Sequence, residues 1–229
     1  MEKLIAVTGN SGKTVFSYYF AQVLAKQKKK VLIVSTDSLQ PACKMLFPTR
    51  KLEPNRSLGN LLSLAAVTKA DIFNNSNVID DDLLLYSYAP GESHLTYPAI
   101  TTTNLHNVFH KFYAIADYVV VDTSTARNVI DQYVLSKNPV QLCITTADEK
   151  GFHYRDYYKS ENGSVIPILF NNSVYNPLSD ILATFSTTVK HILPYSKSLT
   201  SVYNGVNISD ITAPRRYRKV LYKVAGEIL

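Results

Sequence analysis

The run AVTGNSGKTVF at residues 6–16 carries the residue types that hold phosphate groups. A phosphate-binding loop reads G-x-x-x-x-G-K-[ST]; Gly12, Lys13 and Thr14 supply its ending, and Val7 stands where its first glycine would be. Gly9 and Gly12 permit backbone shapes that a side chain would block. The backbone N–H groups of this turn make a site for phosphate oxygens. In such a loop Lys13 reaches the β- and γ-phosphates and the Thr14 hydroxyl holds Mg²⁺. Two other patterns carry chemistry in principle. TKAD (68–71) has the form of a guanine-reading motif, but it precedes rather than follows the second acidic strand, which argues against GTP. His106 and His110 share a helix face at metal-ligand spacing, but without the glutamate of H-E-x-x-H or an evident third ligand.

A loop of this kind works only between a strand and a helix N-terminus, where the helix dipole adds to the loop N–H groups. The chain supplies both. KLIAVT (3–8) reads as a strand, and the spacing predicts a helix over 14–28. Further β-branched runs predict strands at 30–36, 83–89, 117–123, 140–146, 165–171 and 191–195. Helices are expected at about 58–70 and 102–115, at 126–136 and 148–159, at about 177–187, and at 197–204 and 214–228. Several strands are almost wholly apolar, as strands covered on both faces must be. The alternation predicts an α/β fold, a doubly wound, mostly parallel sheet with helices on both faces. No linker divides it, so residues 1–229 are expected to form a single domain.

Composition narrows the class. Of 229 residues 46% are apolar and 18% charged, the balance of a chain that buries a core in water. No run approaches the ~18 consecutive apolar residues of a membrane-spanning helix. The loop begins within the first nine residues, so no signal peptide is expected. Cys43 and Cys143 fit neither a disulfide framework nor a metal spacing, so a reducing, cytoplasmic setting is expected. The net charge is +6, with basic clusters KQKKK (26–30) and RRYRK (215–219). These read either as solvated helix ends or as a surface for nucleic acid or anionic membrane.

From end to end the sequence resembles the ParA/MinD family of deviant P-loop ATPases. Family members open with a loop of the form K-G-G-x-G-K-T-[ST], a helix ending in LA and a strand; here TGNSGKTV is followed by FAQVLAKQKKKVLIVSTD. VSTD (34–37) is close to the arsenite-pump and tail-anchored-protein-targeting branch, and Ser35 and Asp37 match the D-x-D of other members. YVVVDTS (118–124) resembles the second acidic strand, ILFNN (168–172) the strand ending in an adenine-reading asparagine, and ILPYSKSLTSVYNG (192–205) a segment near the C-terminus.

The resemblance implies ATP and Mg²⁺ as cofactors, with Gly9, Asn10, Ser11, Gly12, Lys13, Thr14, Val15 and Asn171 around the nucleotide. Lys13, Asp37 and Asp122 would be catalytic. Asp37 would orient the attacking water, and Asp122 would join Thr14 at Mg²⁺ through a water molecule. It implies a homodimer in the ATP state that partitions DNA or positions a pilus, secretion or conjugation apparatus, with non-specific DNA or a protein of such a system as partner. Departures from the pattern bear on rate. Thr8 replaces the signature lysine, Asn10 a loop glycine and Val15 a hydroxyl residue, and Thr125-Ala126 replaces Pro-Gly. Loss of the lysine implies weak hydrolysis or a substitute cation, for which Arg127 is a candidate. Members lacking it include TadZ/CpaE-like proteins. The alternatives are a non-hydrolysing ATP-binding scaffold and a targeting or metallochaperone ATPase, the latter disfavoured by the absence of C-x-x-C and of a Met-rich insertion.

Overall fold

A computed structural model describes residues 4–51, 53, 55–93, 95–159, 165–171, 178–184 and 189–229. Its strands are β1 (Leu4–Gly9), β2 (Val31–Ser35), β3 (Asn77–Asp80), β4 (Leu83–Tyr86), β5 (Tyr118–Asp122), β6 (Val140–Thr146), β7 (Val165–Phe170) and β8 (His191–Leu193). Its helices are α1 (Lys13–Ala25), α2 (Ala42–Leu46), α3 (Leu58–Ser63), α4 (Lys69–Asn74), α5 (Thr102–Ile115), α6 (Val129–Leu135), α7 (Glu149–Lys159), α8 (Leu178–Thr184), α9 (Lys197–Thr200) and α10 (Arg215–Ile228). The expected strand residue Lys3, and Pro177 and residues 185–187 of the expected helix 177–187, lie outside the described residues.

The strands form one sheet in the order β3-β4-β2-β5-β1-β6-β7-β8. All neighbours pair in parallel except β3, which runs antiparallel to β4. Every residue of β1 is buried, and its side chains alternate between two cores. Ile5 and Val7 pack with Phe16, Phe20 and Leu24 of α1 and with Leu221 of α10. Leu4 and Ala6 face the opposite layer, with Val108, Phe109 and Phe112 of α5 and Ile130 of α6. That two-sided burial is why the strands are apolar without alternating polarity. Chain order changes direction at β1, which β5 flanks on one side and β6 on the other. The crevice at the carboxyl ends of strands at such a reversal is where open α/β sheets bind ligands.

Several elements differ from expectation, among them the expected helix 197–204, which is α-helical only over Lys197–Thr200 and continues as a 3-10 turn over Ser201–Asn204. The segment 58–70 is two helices rather than one, because Leu64 takes an extended conformation that ends α3. Thr68 and Asp71 then form a capping box that starts α4, so TKAD is a helix start. Helix α6 begins at Val129 rather than 126, since Asn128 caps it and Arg127 is left-handed at φ 48°. The edge strand β3 and the short helix α2 were not expected from the sequence. The C-terminal helix follows its predicted face: Tyr217, Leu221 and Val224 are buried, Ile228 is partly so, and Arg216, Lys219 and Lys223 are exposed.

Candidate functional site

The loop joining β1 to α1 lies at the reversal point. Gly9 ends β1 at φ 141°, and a Cβ there would lie 1.8 Å from the Ile144 carbonyl oxygen of β6. Gly12 caps α1 at φ 74°. Both positions are outside the comfortable range of L side chains, so the loop's shape depends on glycine. Asn10 braces the loop to β6. Its Nδ2 donates to Thr146 Oγ1 at 2.8 Å, and its Oδ1 accepts from the Thr146 N–H at 3.0 Å. Thr146 in turn donates to Asp148 Oδ1 at 2.7 Å. The Gly9 N–H donates to the Tyr154 hydroxyl of α7 at 3.3 Å. Ser11 and Thr14 are half-buried and Val15 is buried.

Lys13 begins α1 and is folded back over the loop, 9% exposed. Its ammonium donates to the Gly9 carbonyl at 3.0 Å and to Thr125 Oγ1 at 2.8 Å. Asp122, at the end of β5, is 1% exposed. Its Oδ2 accepts from the hydroxyls of Thr14 at 2.7 Å and Ser35 at 3.1 Å. Its Oδ1 is buried with no hydrogen-bond partner among the described residues. A buried carboxylate oxygen without a donor is costly unless a cation fills the position. Carboxylate and hydroxyl oxygens at the lip of a phosphate loop are the hard donor set that Mg²⁺ takes. The residues present therefore fit the group.

Burial pushes the Asp122 carboxyl up to about 6; the Lys13 charge and the Thr14 and Ser35 hydrogen bonds pull it down, and Asp37 adds to the rise. Because the folded group holds its proton more tightly than the unfolded one, ionised Asp122 destabilises the free chain. The penalty is fully present above pH 6 and fades as the pH falls through 6 toward 3.8. A shift of this size corresponds to roughly 2–3 kcal/mol. Asp122→Asn should accordingly be more stable than wild type by about that amount at pH 7.5, with the difference vanishing near pH 4. Urea titrations across that range check it; a variant less stable at pH 7.5 would show that the charge is compensated.

Asp37 follows β2 and is half-buried. Its Oδ1 accepts from the N–H groups of Leu39, at 2.9 Å, and Gln40, at 3.0 Å, and its charge is felt by Asp122. Asn171 follows β7, its N–H donating to the Leu193 carbonyl at 2.9 Å. Just before it, Phe170 lines an apolar pocket with Gly12, Val15, Leu193, Leu199 and Tyr203. The sheet thus brings Lys13, Thr14, Asp37 and Asp122 to one end, with Asn171 beside the pocket.

Thr8 is buried and continues the Leu4–Ala6 face of β1, beside Cys143 in register. The Cys143 thiol is raised by burial and lowered by the Thr8 hydroxyl and by the charges of Arg155, Arg127 and Lys13. Sequence reasoning missed Thr146, Tyr154 and Arg155, all remote along the chain, and named Thr125 only as a departure from Pro-Gly; the asparagine in a glycine position was the hint to Thr146.

No family model and no curated protein matches the chain. Solved structures do. The chain is similar to a ParA family ATPase from Chlorobium tepidum at 14% identity and TM-score 0.75, over 98% of this chain and 99% of that one. It is similar to the septum site-determining protein MinD of Pyrococcus horikoshii, solved with Mg-ADP, at 12% identity and TM-score 0.71, over 99% and 95% of the two chains. A plasmid partition protein from Borrelia burgdorferi shares 15% identity at TM-score 0.67, over 98% of each chain. At these identities the likeness is one of fold, and it covers the whole chain.

Proposed function

We propose that the chain is a ParA/MinD-like, Mg-ATP-binding switch, a single cytoplasmic P-loop domain that dimerises in the ATP state and hydrolyses ATP weakly. The observation that carries this reading is Asp122 Oδ1, a buried carboxylate oxygen with no donor among the described residues, beside the Thr14 hydroxyl and the Lys13 loop. In this reading the loop N–H groups from Ser11 to Val15 and the Lys13 ammonium hold the phosphates, the Asn10 N–H being donated to the Ile144 carbonyl. Thr14 and Asp122 hold Mg²⁺, which would neutralise phosphate charge when bound. Asp37 orients water, and Asn171 and the apolar pocket take the base. Among the described residues no helix is long and apolar enough to cross a membrane.

With threonine in place of the signature lysine, Lys13 is the loop's own cation, and the charges of Arg127 and Arg155 are felt at Cys143, the register partner of Thr8. That favours slow turnover, since missing transition-state cations cost orders of magnitude in rate. A scaffold that binds ATP without turnover is the neighbouring reading. The role we assign is DNA partitioning or placement of a surface apparatus, and the exposed cations of α10 (Arg215, Arg216, Arg218, Lys219 and Lys223) favour DNA.

The test is titration calorimetry with Mg-ATP and Mg-GTP, followed by sedimentation and DNA retention at several salt concentrations. Expected are preferential ATP binding, an ATP-dependent dimer, and DNA affinity that falls steeply with salt and appears only with ATP. Absence of ATP binding removes the whole reading. ATP binding without DNA retention at low salt moves the role to apparatus positioning.

A further inference from the structure

Thr36 lies between the two acidic loops and, like Asp131, is fully buried. Its N–H donates to the Asp122 carbonyl at 3.0 Å. Its hydroxyl donates to Asp131 Oδ1 at 2.6 Å and accepts the Ser124 N–H at 2.9 Å. The Thr36 carbonyl accepts from Asn128 Nδ2 at 2.8 Å, and Asp131 Oδ2 accepts the Asn128 N–H at 3.0 Å. Every polar group of Thr36 is therefore tied to the segment 122–131. The same clamp closes directly after Arg127, whose left-handed backbone is strained for a residue with a side chain.

Beyond Thr36 the chain turns outward. Ser38 lines an apolar pocket with Asn128, Val129 and Ile130, and Leu39 is 89% exposed. A buried carboxylate costs several kcal/mol unless its hydrogen bonds are well made. Helix α6 needs Asp131 only for its capping box, and an exposed aspartate would serve that purpose equally.

We propose that Asp131 is a positioning residue which, through the Thr36 hydroxyl, makes the loop bearing Asp122 and the loop bearing Asp37 move together, so that nucleotide at Lys13 and Thr14 is felt at the exposed segment 38–40. The proposal rests on the phosphate-site reading above. The Asp122 loop adjusts to the nucleotide, and the buried bridge carries that adjustment to Asp37 and the surface beyond it.

The Leu39 and Gln40 amides donate to Asp37, so their hydrogen exchange reports the second loop directly. In the wild-type chain Mg-ATP should slow their exchange about tenfold, within the range of coupled sites. Thr36→Val, which keeps shape and removes the hydroxyl, should abolish that slowing while Mg-ATP affinity by calorimetry changes less than about threefold. Thr36→Ser should restore the slowing, and Asp131→Asn should weaken it. If Thr36→Val melts earlier yet keeps the nucleotide-dependent slowing, the bridge is merely structural and the proposal is overturned. If wild type binds Mg-ATP without slowing at Leu39 and Gln40, the coupling fails while the phosphate site stands. If wild type binds no Mg-ATP, both readings fall.

Discussion

Gly9→Ala unfolds the chain in urea at a markedly lower midpoint, with a loss of at least about 3 kcal/mol, in the tail of single-substitution effects. The reason is a contact that cannot relax locally. The new methyl would sit 1.8 Å from the Ile144 carbonyl oxygen, and Gly9 and Ile144 are register partners in the β1–β6 ladder. Relief requires the two strands to part, which also breaks the bond from the Asn10 N–H to the same carbonyl, 3.2 Å long. The backbone angle of 141° adds its own strain. Gly12→Ala is the informative control. Its φ of 74° is again left-handed, but the nearest atom is a Phe170 ring carbon at 3.4 Å. It should cost only about 1–2 kcal/mol, the price of a left-handed alanine. Equal losses at the two positions would mean that conformational strain alone, and not the approach of β6, fixes the loop.

Lys13→Ala should lower Mg-ATP affinity by at least about 100-fold, the consequence of removing a buried cation from its anionic partner. The ammonium is already desolvated and aimed, bonded to the Gly9 carbonyl and to Thr125, so little order remains to be imposed when phosphate replaces those partners. The fold should tolerate the change, because Thr125 is exposed and regains a water partner, and only the buried Gly9 carbonyl loses a donor. Calorimetry of the variant beside its urea midpoint separates the two effects. Unchanged affinity would refute the assignment of the loop to phosphate.

How much of this was legible depends on the reach of each signal along the chain. The loop could be read because strand, glycine turn and helix are contiguous, and residues 4–25 contain the whole device. The parallel core strands could be read because burial on both faces leaves long apolar runs such as Tyr118–Asp122. Strand β3 could not. Its four residues alternate between buried and exposed on an edge, and what holds them is the ladder to β4 rather than a pattern of their own. The break after Ser63 was hidden because apolar spacing continues through residues 64–67 while the backbone does not. Asp131 was half legible: Asn128 and Asp131 have capping-box spacing, but the partner that explains its burial, Thr36, lies 95 residues earlier. The brace of Asn10 on Thr146 spans 136 residues and was invisible for the same reason.

The two margins of the sheet constrain how copies of this chain can meet. A margin with a long flat strand invites another chain to add to it, and both margins here are short. On one side β3 is four residues long, irregular between Val78 and Asp80, and followed by Asp81 and Asp82, so like charges would face each other in a parallel, in-register continuation of the ladder. On the other, β8 is three residues long and lies against α10. Ladder growth into fibres is therefore closed off at neutral pH, and assembly is directed to surfaces made of helices and loops. Among these is the end of the sheet where Lys13, Asp37 and Asp122 converge.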